Sequence, residues 1–223
     1  MKRSKLAYIV VGLLIGLLIA VASAAGVGQK RPPGNPGKGH GKAGANTLMR
    51  WDLISLNFAT LTLSSGGHAS AFATHSGDAA HTGKITVTGQ GTFRSNPGKP
   101  QAVSGGGTWQ TLDAAGAPNG SGTYKVTGFV SFVLAPGFLP AAFTDTIGKA
   151  ANAHSGLAVL KVAYSDGSKG TLTISCDLPG GSPATMFEGI TASKGYIDYW
   201  ERDPAVGGVD ANRTEFHALH SSH

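Results

Sequence analysis

From Met49 onward the chain alternates apolar and polar residues in short runs broken by glycine, proline, asparagine and aspartate. A period of two sends successive side chains to opposite faces, so these runs predict half-buried β-strands. MRWDLISLNFATLTL (49–63) is the first. HASAFAT (68–74), KITVTGQGTF (84–93) and AVSGGGTWQTL (102–112) follow. GTYKVTGFVSFVL (122–134) sets Tyr124, Val126, Val130, Phe132 and Leu134 on one face, with Phe129 and Val133 on the other. GLAVLKVAY (156–164) is apolar on both faces, as a central strand is. Asp166-Gly167 then predicts a type I′ hairpin turn into GTLTISC, where Leu172, Ile174 and Cys176 share the apolar face. ATMFEGIT, GYIDYW and NRTEFHAL complete the series.

One short helix is expected near Pro140, because Phe143, Ile147, Ala150 and Ala151 recur at helical spacing. Nine to ten strands with one short helix predict an all-β fold, an antiparallel sandwich or barrel. It occupies residues 47–223 as a single domain. Composition agrees: charged residues are only 13% and there are 34 glycines, which favours turns and strands over helices.

Before residue 47 the alternation is absent. Lys2, Arg3 and Lys5 precede an uncharged apolar run from Leu6 to Ala22, and Ala22-Ser23-Ala24 supplies the small-x-small pattern of a cleavage site. Residues 1–24 therefore read as a signal peptide. The competing reading is an uncleaved anchor over 6–28, long enough to cross a bilayer of about 30 Å. Either way the domain is secreted or extracytoplasmic, since the positive flank stays inside. Residues 28–46 are rich in glycine, proline and basic side chains, and read as a disordered linker. Contact with a membrane is expected only through this N-terminal segment.

The formal net charge of +6 raises the question of nucleic acid. Its distribution argues against that partner. Seven of the 18 Lys and Arg, and none of the 12 acids, fall in residues 1–46, so the domain keeps eleven bases against twelve acids. A neutral domain lacks the footprint that phosphate binding needs. A single cysteine allows no internal disulfide, and Cys176 on an apolar face reads as a buried structural thiol.

YSDGSKGTLTISC, LPGGSP, FEGITASKGYIDYW and GVDANRT, together with GSGTYKVTGFV, resemble a family of uncharacterised exported all-β proteins of bacteria and plants. The resemblance spans roughly residues 50–220. It implies one all-β unit and carries over no catalytic or binding residue.

The run GYIDYWERD (195–203) concentrates aromatic and charged side chains. Residues 198–215 hold seven charges in eighteen positions, against sixteen in the 151 residues before them, which marks this stretch as the place to look for a site. Taken as a hairpin turning at Ser193-Lys194, the run sets Thr191 opposite Tyr196, Gly189 opposite Asp198 and Phe187 opposite Trp200. Rings beside a carboxylate offer a sugar both stacking area and a hydroxyl acceptor. Tyr196, Asp198, Trp200 and Arg213 are the candidate ligand-binding residues. Against this stands a core wall, in which Asp198 is buried and paired with Arg202 or Arg213.

Glu188, Asp198, Glu201, Asp203, Asp210 and Glu215 supply carboxylates enough for acid–base chemistry, but no spacing shows which two converge. No nucleophile elbow or phosphate loop is present. Neither the tail His217, His220 and His223 nor His68, His75, Asp78 and His81 matches a ligand signature, so no metal or other cofactor is expected. The sequence thus points to an exported non-catalytic domain at the cell surface, with carbohydrate or envelope polymer as its sharpest partner. The alternative is a carboxylate-based enzyme on extracellular glycans, a hydrolase, lyase or isomerase.

Overall fold

A computed structural model describes residues 47–74, 80–95 and 102–219. The signal, anchor and linker expectations fall outside the described residues, as do His75, Asp78, His220 and His223. No helix among the described residues is long and apolar enough to cross a membrane.

The described chain is all-β. Its strands are β1 (Leu48–Asn57), β2 (Thr62–Ser65), β3 (His68–Thr74), β4 (His81–Thr88), β5 (Gln90–Arg94), β6 (Val103–Asp113) and β7 (Pro118–Ala135). They continue as β8 (Thr144–Asp145), β9 (Ala153–Tyr164), β10 (Lys169–Cys176), β11 (Gly189–Lys194), β12 (Ile197–Tyr199), β13 (Glu201–Arg202) and β14 (Thr214–Leu219). A closed antiparallel ring runs β1-β5-β6-β7-β9-β14 and back to β1. The hairpin β3–β4 continues the wall from β6, and the meander β10–β11–β12 continues it from β9. The short β13 joins the free edge of β3.

Two long runs divide where the backbone turns. MRWDLISLNFATLTL becomes β1 and β2, folded back at residues 58–61. KITVTGQGTF becomes β4 and β5, separated at Gly89, whose φ of +155° leaves the run in the region that favours glycine. This division leaves more and shorter strands than the nine to ten expected. The helix expected after Pro140 does not form. Phe143 and Ile147 still pack on the core, but from an extended segment that contains β8 and ends in a single 3-10 turn, Ala150–Asn152. Pro140, Gly148 and the Asp145 side chain, which accepts the N–H groups of Ile147 and Gly148, all favour this looped course.

The core is one continuous cluster. Met49, Trp51 and Leu53 of β1 point into the ring beside Phe93 and Phe216. Trp51 sits opposite Gly91 in the ladder, and a Cβ at Gly91 would lie 2.8 Å from the indole nitrogen, so the glycine makes the room that the ring fills. Bulges near Val126/Gly128 and Phe129/Ser131 break the alternation of β7. As a result Phe129 and Phe132 both reach Phe93, with centroids at 5.2 and 5.1 Å, whereas Val130 and Leu134 are exposed. The β9–β10 turn also differs from the type I′ form. Only Gly167 has positive φ, and Asp166 instead accepts the N–H of Ser168.

Cys176 is buried at the end of β10, beside Leu172 and Ile174 in the pattern. Burial pushes its thiol well up, with Glu188 and Glu215 adding to the effect. A thiol reagent should therefore label the native protein only on the timescale of unfolding. Cys176→Ser should cost about 1–3 kcal/mol, because a hydroxyl is costlier to bury than a thiol even with the Phe216 backbone and the Thr214 side chain beside it. Rapid labelling without denaturant would contradict this placement.

Candidate functional site

Two places concentrate chemistry. The first is built by the GYIDYWERD run. β11 and β12 pair as Ala192↔Tyr199, Ser193↔Asp198 and Lys194↔Ile197. The two-residue loop is therefore Gly195-Tyr196, not Ser193-Lys194. Gly195 has φ +63°, and glycine at the first loop position is the mark of a II′ hairpin. Asp198 consequently lies across from Ser193, and Gly189 pairs with Ser175 on the other side of β11. The turn moves by two residues and each cross-strand partner by four, an even number, so the faces are preserved: Tyr199 is buried, whereas Asp198 and Trp200 look outward.

After Trp200 the chain leaves β12 and crosses to the edge of β3, pairing Glu201 with Phe72 and Arg202 with Ala71. Several contacts hold the crossing. His81 stacks on Phe72 at 3.9 Å and lies 3.4 Å from Glu201, and Lys84 reaches Asp203 at 2.7 Å. The crossing opens a cleft of about 400 Å³ lined by Phe187, Thr191, Trp200, Glu201, Arg202 and Pro204. That lies in the range of small-ligand sites. Arg202 caps the Phe187 ring at 5.2 Å, and Trp200 is 59% exposed.

Of the four residues expected to bind, only Trp200 lines this cleft. Tyr196 is 99% exposed at the hairpin tip. Asp198 is exposed and makes no ion pair with Arg202 or Arg213 among the described residues. Arg213 lies over Phe58 at 5.1 Å and donates to the Val206 carbonyl. Phe187, Glu201 and Arg202 were visible in the sequence as neighbours of the aromatic run. Their convergence depends on the crossing to β3, which no local pattern announces.

The second place is a buried polar cluster on the outer face of the ring. Alternation sends Arg50 and Asp52 of β1, and Glu215 and His217 of β14, away from Trp51 and Phe216. The ladder sets Asp52 opposite Glu215 and Arg50 opposite His217. The segment carrying β8 then covers them. Gly148 fits closely, since a Cβ there would lie 2.6 Å from the His217 ring. Arg50 grips Asp52 with two bonds, 2.7 and 2.8 Å, and reaches Gln90 at 3.2 Å. Asp145 Oδ1 is held by Ile147 and Gly148, while its Oδ2 lies 2.7 Å from His217 Nε2. The same nitrogen is 3.7 Å from Glu215 Oε1. Neither Glu215 oxygen has a hydrogen-bond partner, nor does His217 Nδ1.

Burial pushes Glu215 up to about 9, and the acids Asp145, Asp52 and Glu188 push the same way. Burial would also raise Asp145, but the bonds from His217, Gly148 and Ile147 outweigh it and hold that carboxyl below its ordinary value. Glu188 is pushed up to about 8 by burial, against N–H groups donated by Asp177 and Thr214 and the nearby Arg213. The side chains of Asp52, Asp145 and Glu215 are closed to solvent, so no substrate reaches them.

The chain matches no protein-family model, no curated protein and no solved structure.

Proposed function

We propose that the protein is a non-catalytic binding domain that acts outside the cytoplasm and holds carbohydrate or envelope polymer in the Phe187–Trp200–Arg202 cleft. The observation that carries this reading is the exposed Trp200 indole in a cleft with a second ring, a guanidinium and a carboxylate. An exposed indole offers flat apolar area on which a sugar's C–H face can stack while its hydroxyls meet the polar groups beside it. The extracellular setting rests on the charged apolar start and Ala22-Ser23-Ala24. Glycan hydrolysis by a carboxylate pair is less well supported. Such a pair flanks the scissile bond in an open site. Here Glu201 is the one carboxylate lining the cleft among the described residues, and it is turned to His81.

Trp51 and Trp109 are buried, so Trp200 is the indole open to water among the three. Iodide quenching of intrinsic fluorescence therefore reads the cleft directly. Peptidoglycan fragments or an oligosaccharide panel should protect Trp200, and Trp200→Ala should remove the quenchable signal and weaken binding by about tenfold or more, ~1.4 kcal/mol. Asp198→Ala should leave stability within about 0.5 kcal/mol, as at most surface sites. A panel in which no glycan alters the quenching would sink the reading.

A further inference from the structure

We propose that Asp145, Glu215 and His217 bind one divalent transition-metal cation, zinc being the first to test, which clamps the β8 segment onto the outer wall of the ring. Each residue offers one donor atom, and the three atoms lie within 4.8 Å of one another. Ligands about 2.0–2.2 Å from a tetrahedral zinc sit roughly 3.3–3.5 Å apart. The observed 2.7 Å between His217 Nε2 and Asp145 Oδ2 needs only to open slightly, and the 3.7 Å to Glu215 Oε1 needs only to close slightly.

Three independent features favour an ion there. Glu215 is wholly buried and its carboxyl bonds to nothing, a costly state that a metal relieves. The charges also match. Arg50 is already engaged by Asp52, which leaves two carboxylates and an imidazole to meet a charge of +2. Finally, Asp145 is oriented for the task, because the N–H groups of Ile147 and Gly148 fix one oxygen and leave the other facing the histidine. An imidazole with two carboxylates suits zinc-like ions better than calcium, which wants six to eight oxygens. Asp145 and His217 are 72 residues apart, so no sequence spacing displays the set. The segment that covers the cluster is itself exposed at Thr144, Thr146, Gly148 and Lys149.

The test is isothermal titration of the chelator-treated full chain with zinc chloride, beside thermal melts with and without the metal. One equivalent should bind saturably and raise the melting midpoint. Glu215→Gln and Asp145→Asn, both close in shape to the native residues, should weaken affinity by about a hundredfold or more. Replacing His220 and His223 together by alanine should not. Should a variant fail to fold, the wild type loaded with cobalt decides: intense visible bands report four or five ligands, and weak bands report a loose six-coordinate ion and overturn the proposal. Absence of saturable zinc binding, or binding that survives Glu215→Gln and Asp145→Asn, overturns it as well.

Discussion

Gly67→Ala is expected to cost more than about 4 kcal/mol, the range of rare, mechanism-specific losses, and to leave no cooperative melt near that of wild type. Gly67 is buried where the chain passes from β2 to β3, and its N–H donates to the Leu53 carbonyl at 3.0 Å. A Cβ there would fall inside the carbonyl of Ile54 and against the backbone of Ser55. These atoms belong to β1, which is locked between β14, β5 and β2, so the clash has no flexible end to yield. The neighbouring Gly66 is the control. Its φ is +93°, but nothing stands within 4 Å of its added methyl. Gly66→Ala should therefore show only the strain of a left-handed backbone, about 1–2 kcal/mol. Urea melts of the two variants side by side measure the difference, and equal losses would mean that strain, not close approach, governs the junction.

His217→Ala, measured in chelating buffer, is expected to cost about 3–5 kcal/mol. The substitution leaves Asp145 Oδ2 buried without its hydrogen bond, and it opens a void beneath Gly148. Breaking one member of a buried pair costs more than the pair itself contributes, because the survivor keeps its desolvation penalty. Asp145→Ala with His217→Ala should then recover part of the loss, since the double variant no longer leaves the Asp145 carboxylate buried without its partner. A double variant as unstable as the sum of the singles would show that the two side chains act separately.

The parts of the fold set by local rules are legible in the sequence. Leu172, Ile174 and Cys176 alternate cleanly, and all three are buried in β10. The doubly apolar run 156–164 is indeed central, with β7 on one side and β10 on the other. The failures come where one residue resets a pattern. Bulges in β7 turn Phe129 inward with Phe132, which strict alternation placed on opposite faces. Gly195 moves the hairpin turn by two residues, which carries Asp198 away from Gly189. The site itself was half legible. Trp200 stood out by type and by its place among charges, but Thr191 meets it only in the β11–β12 register that Gly195 sets, and Arg202 and Pro204 only because the chain crosses from β12 to β3. The Asp52–Asp145–Glu215–His217 cluster was illegible as a unit, because strand pairing and a covering loop assemble it from three separate stretches.

The ring is sealed by its two sequence-distant edges: β1 hydrogen-bonds to β14 from Leu48↔Leu219 through Leu53↔Thr214. During synthesis β1 emerges long before β14 exists. Until Leu219 has cleared the ribosome, Met49, Trp51 and Leu53 lack the strand that closes over them, and one flank of β1 stands open to any strand that reaches it. Pairings between such distant segments form slowly, because the loop entropy is lost before the contact is made. The nascent chain is therefore a client for a holding chaperone over nearly its whole length, and truncation short of residue 214 should yield aggregate in place of a smaller folded barrel.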